Sequence, residues 1–119
     1  MSIQSLAKQF VDLCNQGKNF DVMRTMYSPD IVSVESGGAE TAGKGPVIAK
    51  SEKWAANNTI HGEKVLGPFF NGPDQFAVYF TFEVTPKDTG KRVTQSEVAV
   101  YEVKNDLITR ERFFNSGVW

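Results

Sequence analysis

The stretch Phe76-Ala77-Val78-Tyr79-Phe80-Thr81-Phe82-Glu83-Val84 decides the fold. Phe76, Val78, Phe80, Phe82 and Val84 alternate with Ala77, Tyr79, Thr81 and Glu83. On a pleated strand that puts five apolar side chains on one face and a mixed set on the other, whereas a helix would scatter them. Before it, Gly72-Pro73-Asp74 reads as a turn, and Ile60 to Phe70 as an extended segment with Gly62, Gly67 and Pro68 at bulges or bends. After it, Pro86 to Gly90 turns the chain back into Arg92 through Val103. Asn105-Asp106 makes another hairpin turn, and Leu107 to Val118 closes the sheet.

Upstream of Asn58 the apolar period is 3.6 rather than 2. Ile3, Leu6, Ala7, Phe10, Val11, Leu13 and Cys14 recur as one side of an amphipathic helix that stops near Gly17. Asn19 is placed to cap a second, shorter helix with Phe20, Met23, Met26 and Tyr27 on its buried side. Ser28-Pro29-Asp30 ends it, because the residue before proline avoids the helical region. Ile31 to Glu35 reads as a strand, and the Ser/Gly/Ala/Thr-rich stretch through Gly43 as loop. Pro46 suits the first turn of a third helix, along one face of which lie Val47, Ile48, Ser51, Trp54, Ala55 and Asn58. Three helices, a strand between the second and third, and four long strands make a single α+β domain spanning residues 1–119. Its sheet is expected to be antiparallel and strongly curved, wrapping the helices and enclosing a cavity.

Composition narrows the function classes. The chain has 119 residues and a formal charge of −1, with 13 basic side chains spread along it, so it carries no electrostatic footprint for nucleic acid. No apolar run approaches the length of a membrane span, and the N-terminus lacks the pattern of a signal peptide. One Cys and one His cannot build a structural zinc site or an intrachain disulfide. A cytoplasmic protein with neither a metal nor a cofactor is the expectation. Gly37-Gly38 and Gly43-x-Gly45 lack the flanking pattern of a phosphate loop, and Cys14 reads as a small buried hydrophobe.

The order of elements resembles the nuclear-transport-factor-2-like superfamily, the cone fold of ketosteroid isomerases and SnoaL-type polyketide cyclases. Leu13-Cys14-Asn15-Gln16-Gly17, Met26 through Glu35 and His61-Gly62 resemble the opening half of a SnoaL-like domain. Val98 through Asp106 is similar to its late hairpin, and Ile108 through Phe114 to its closing strand. Asp106 stands where relatives usually carry Gly, a tolerable change at a turn. The resemblance implies a cone in which Glu35 occupies about the place of the isomerases' proton-shuttling aspartate. It also implies that the rest of the isomerase apparatus is missing. The tyrosine would fall near Phe10, which has no donor, and the protonated acid near Thr94 to Ser96, which offers hydroxyls and an amide.

The catalytic candidates are therefore Glu35 as base, with His61 or Tyr79 as hydrogen-bonding partner. A carboxylate on a cavity wall is desolvated and becomes a usable base near neutral pH, while an imidazole titrates there already. Each has a plain structural alternative, as a loop-mouth glutamate and a strand-start histidine. Phe10, Trp54, Phe80, Tyr101, Arg112 and Phe114 are the ligand-binding candidates. Phe69, Phe70, Phe82 and Phe113 extend an aromatic set that serves equally as core. Glu97, Glu111 and Arg110 are expected on the outer sheet face, where a homodimer would form.

Three functions fit. One is a cofactor-free enzyme of the isomerase or cyclase type moving protons on a small apolar carbonyl compound. Another is a non-catalytic dimeric module binding an apolar ligand in the same cavity. The last is an assembly domain whose cone is filled by its own side chains.

Overall fold

The computed structural model describes residues 2–116. Three helices, α1 (Ile3–Asn15), α2 (Asn19–Met26) and α3 (Lys44–Asn57), pack against one sheet. Its strands are β1 (Tyr27–Val34), β2 (Glu40–Ala42), β3 (Asn58–Asn71), β4 (Gln75–Pro86), β5 (Val93–Lys104) and β6 (Leu107–Phe114). They lie in the order β2-β1-β6-β5-β4-β3. The class is α+β as expected, but the curved sheet is mixed rather than purely antiparallel, because β1 runs parallel to β6. A parallel pair needs a long crossover, and everything from α3 to β5 supplies it.

Several local expectations change. Tyr27 opens β1 instead of closing α2, and the expected loop before Gly43 contains the short strand β2. Asn19 is the first residue of α2 rather than its cap. Its amide is spent on Glu63, and Lys18 in the cap position makes no side-chain bond. Asn58 begins β3, its side chain capping α3 through a 2.9 Å bond to the Trp54 carbonyl. The closing strand ends at Phe114, and Val118 lies outside the described residues.

The core follows the alternation of β4. Phe76, Val78, Phe80, Phe82 and Val84 are all buried and meet Leu6, Ala7, Phe10 and Cys14 of α1. Phe10 is the pivot, with ring centroids 5.4 Å from Phe76 and 4.7 Å from Tyr101. Edge and tilted contacts at these separations suit the aromatic quadrupole. Asn15 pins the end of α1 to β3 by gripping both backbone groups of Val65, at 3.1 and 2.8 Å.

Register shifts on β6 and β3 help decide which residues face inward. Between β5 and β6, Val103 pairs with Ile108 but Glu102 pairs with Arg110, so three residues of β6 oppose two of β5 and β6 is bulged at Thr109. On β3 the pairing slips at His61, between Ile60 and Gly62.

Candidate functional site

The helices do not fill the sheet's concave side. Between them and β3–β6 lies a cavity of about 680 Å³. Its apolar wall includes Phe10, Trp54, Phe80, Phe82 and Phe113. Trp54 meets Phe82 edge-on at 5.4 Å, and Phe82 stacks on Phe80 at 5.5 Å.

One side of the cavity carries a polar network built from β1, β5, β6 and α3. Lys50 on α3 is ion-paired with Glu35 and donates to Ser33 Oγ at 2.7 Å. Its ammonium also stands 5.5 Å from the centre of the Phe113 ring. Ser33 hydrogen-bonds Glu111, whose other close partner is the Tyr27 hydroxyl. Glu111 is 2% exposed, and Tyr27 is buried beside it. Asn115 holds Glu97 at 3.2 Å, while its own carbonyl accepts from Ser36 at 2.9 Å.

Burial governs the protonation of this network. Desolvation pushes Glu97 up to about 8; the bond from Asn115 opposes the rise, and repulsion from Glu35 and Glu111 adds to it. Glu111 is also raised by burial, against its bonds to Ser33 and Tyr27. Tyr27 and Tyr101 are pushed well above the ordinary phenol value, first by burial and then by Glu111, so both stay neutral. The cavity thus holds an ion-paired glutamate and, coupled to it, a glutamic acid that is neutral at pH 7.

A second polar group faces the same space from β3. Glu63 accepts a 2.7 Å bond from Asn19, and burial raises its pKa to about 7. Cys14 lines the cavity nearby, and burial holds its thiol far above the ordinary range, so it is inert.

Of the residues singled out from sequence, Glu35, Phe10, Trp54, Phe80 and Tyr101 meet at this cavity. His61 stands at its rim, but the imidazole is exposed and hydrogen-bonds Thr85 Oγ1 at 2.7 Å. Lys50, not His61, is the partner of Glu35. Tyr79, Arg112 and Phe114 fall on the opposite sheet face, because each is one residue out of step with the inward Phe80, Glu111 and Phe113. Phe69 shares that outer face through its pairing with Ala77.

Glu97 and Glu111, expected outside, face inward, whereas Arg110 does lie outside between Glu40 and Glu102. Neighbouring positions on β5 conceal the parity, since Val98 and Val100 are as apolar as Ala99 and Tyr101. On β6 the bulge resets it. Lys50, missed altogether, carried a usable signal: it lies one helical turn from both Val47 and Trp54 on the inward face of α3.

No helix among the described residues is long and apolar enough to cross a membrane. Among those residues, too, no cluster of His, Cys, Asp and Glu could hold a metal ion.

Comparison with solved structures places this architecture. A SnoaL-like polyketide cyclase candidate from Mesorhizobium loti is 44% identical, with a TM-score of 0.92 over 97% of this chain and 100% of that one. A protein of unknown function with a cystatin-like fold, from Xanthomonas campestris, is 18% identical at a TM-score of 0.73, covering 98% and 92% of the two chains. A protein with a ketosteroid isomerase-like fold from Catenulispora acidiphila, in complex with trimethylamine, is 15% identical at 0.71, covering 94% and 85%. The last two likenesses establish the fold alone, the cystatin-like or nuclear-transport-factor-2-like cone. No curated protein matches the chain. The family model for the SnoaL-like domain matches residues 1–115, and with it the chain belongs to the SnoaL-like domain family.

Proposed function

We propose that the cavity binds a small apolar carbonyl compound and moves a proton at the carbon next to its carbonyl, without a cofactor. The observation that carries this reading is the pairing, in one apolar cavity, of ion-paired Glu35 with the neutral carboxyl of Glu97. Proton abstraction from such a carbon leaves negative charge on the carbonyl oxygen. A carboxylate able to take the proton and a neutral acid able to donate to that oxygen are the two groups the step needs. Environment, rather than residue type, divides their roles. Lys50 orients the Glu35 carboxylate, and the aromatic wall supplies apolar contact and excludes water.

The test is hydrogen–deuterium exchange at the α-carbon of a panel of apolar ketones in heavy water, followed by NMR. Wild-type protein should accelerate exchange for at least one compound, Glu35→Gln should lose about 100-fold or more, and the rate should fall above pH 8, where Glu97 ionises. Binding without exchange would leave the cavity as a non-catalytic ligand site. A Glu35→Gln variant as active as wild type would remove Glu35 as the base.

We propose further that the outer sheet face pairs with a second copy of the chain. Leu66, Tyr79, Val98 and Phe114 are cross-strand neighbours in a row over β3, β4, β5 and β6, and all four are exposed. Charges of both signs flank the row, Glu83 with Arg92 on one side and Arg110 with Glu102 on the other. Such a surface is complementary to itself under a two-fold rotation.

A further inference from the structure

The polar side of the cavity contains a carboxyl that the proton-transfer step does not use. Glu111 is 2% exposed, and the bulge at Thr109 puts it there. Strict alternation from the buried Ile108 would carry Arg110 inward and leave Glu111 on the outer face. One inserted residue exchanges them. Burying a carboxyl carries a desolvation cost, which only full partnering offsets.

The partners of Glu111 form a chain with one direction. An ammonium is a donor only, and Lys50 gives one hydrogen bond to Glu35 and one, of 2.7 Å, to Ser33 Oγ. Ser33 is fully buried, and its single hydroxyl proton is left for Glu111, its partner across the β1–β6 pair. From the other side the Tyr27 hydroxyl donates to Glu111 as well. Every donor in the chain points toward Glu111, an arrangement that a carboxylate satisfies and a protonated acid opposes. Around it stand Lys50 from α3, Tyr27 from β1, Glu35 just beyond β1, and Glu97 and Tyr101 from β5. Cys14 of α1 lies beside the two phenols. Burial raises Glu111, while its bonds to Ser33 and Tyr27 and the charge of Lys50 hold it down.

We propose that Glu111 is a positioning residue, a second anion that holds the Lys50 ammonium through Ser33 while Glu35 carries a proton. This rests on the proton-transfer reading above. In that step a C–H bond of the ligand breaks, an O–H bond forms on Glu35, and the electron pair moves onto the ligand's carbonyl oxygen. Lys50 keeps all its protons, and none passes along the chain. Glu35 is then neutral and no longer balances the ammonium, which stands 5.5 Å from the centre of the Phe113 ring. Without Glu111 the ammonium would turn out to solvent, because a lone charge is poorly accommodated on an apolar wall. With Glu111, Lys50 stays where it can orient the Glu35 carboxylate again once the proton is returned.

The experiment reads the Lys50 ammonium directly, by the proton–nitrogen NMR signal that an ammonium shows when hydrogen bonds slow its exchange with water. Loss of the signal in Lys50→Met assigns it. Wild type should show it, and Glu35→Gln, which fixes residue 35 in a neutral form, should keep it. Adding Ser33→Ala or Glu111→Gln to Glu35→Gln should remove it, and either double variant serves if the other fails to fold. Absence of the signal in wild type, its loss in Glu35→Gln alone, or its survival in either double variant would overturn the inference. In the otherwise wild-type chain, Ser33→Ala should lower kcat for ketone proton exchange about tenfold and leave KM unchanged, since Ser33 lies outside the cavity lining. A merely structural Ser33 would lower the thermal midpoint and leave kcat alone. The ammonium signal is read in the free protein. If wild type exchanges no ketone proton, the proton-transfer reading falls, and the NMR comparison still decides what holds Lys50.

Discussion

Glu97 and Glu63 make the protein's stability depend on pH in a direction opposite to that of surface carboxylates. A carboxyl whose pKa is raised by folding holds its proton more tightly in the folded chain than in the unfolded one. The stability linked to it is complete below the unfolded value and is lost as pH rises through the folded value. For Glu97 that window runs from 4.5 to about 8, and for Glu63 from 4.5 to about 7. Glu35 and Glu111 press on Glu97 in the same sense, while Lys50 and Asn115 oppose it. The thermal midpoint should therefore fall steadily between about pH 5 and about pH 8, and Glu97→Gln should flatten the fall. Calorimetric scans across that range decide it, and a midpoint rising over the same interval would contradict the assignment. Sequence pointed to Glu35 and to part of the aromatic wall because strand ends and apolar alternation are local properties. It could not point to Glu97, whose inward position depends on which face of β5 meets the helices.

At the scale of the element, single backbone positions set the registers that aim these side chains. The pairing of β3 with β4 slips between Leu66 and Phe69, where Gly67 adopts a φ of +129°. A Cβ there would stand 3.1 Å from the Ala77 carbonyl oxygen, on backbone that cannot swing aside. Gly67→Ala should cost about 1–3 kcal/mol through both strain and crowding. Gly45, in the first turn of α3, has open space around it and no such conformation, so Gly45→Ala should be neutral or slightly stabilising. Urea titrations of the two variants test the contrast, and equal midpoints would refute it. The glycine and proline near this slip were visible in sequence as a bend. The Thr109 bulge was not, because Ile108-Thr109-Arg110-Glu111 contains no glycine, proline or other mark of an interruption.

For the whole molecule, the mixed sheet gives its two faces different work. The concave face closes around the helices and keeps a cavity, while the convex face is left with a row of apolar side chains that the other described residues leave exposed. The long alternating strands made the cone legible in sequence. The parallel contact of β1 with β6 was not, since it joins segments some 80 positions apart with no turn to announce it. Of the row, Phe114 is 50% exposed and Leu66 46%, and a contiguous exposed apolar patch is the surface feature that marks an interaction site. A single Leu66→Glu or Phe114→Glu substitution changes neither cavity nor core, because both side chains point away from them. In a two-fold dimer, however, it places an unpaired charge into the interface twice, once from each protomer. Sedimentation equilibrium should give twice the chain mass for wild type and a shift toward the monomer for either variant, by about tenfold or more in dissociation constant. The proton-exchange activity of the monomeric variant should persist, since Glu35, Glu97 and Lys50 line the concave side and the row lies on the opposite face. Wild type sedimenting at the mass of one chain would end the dimer proposal and leave the cavity reading intact.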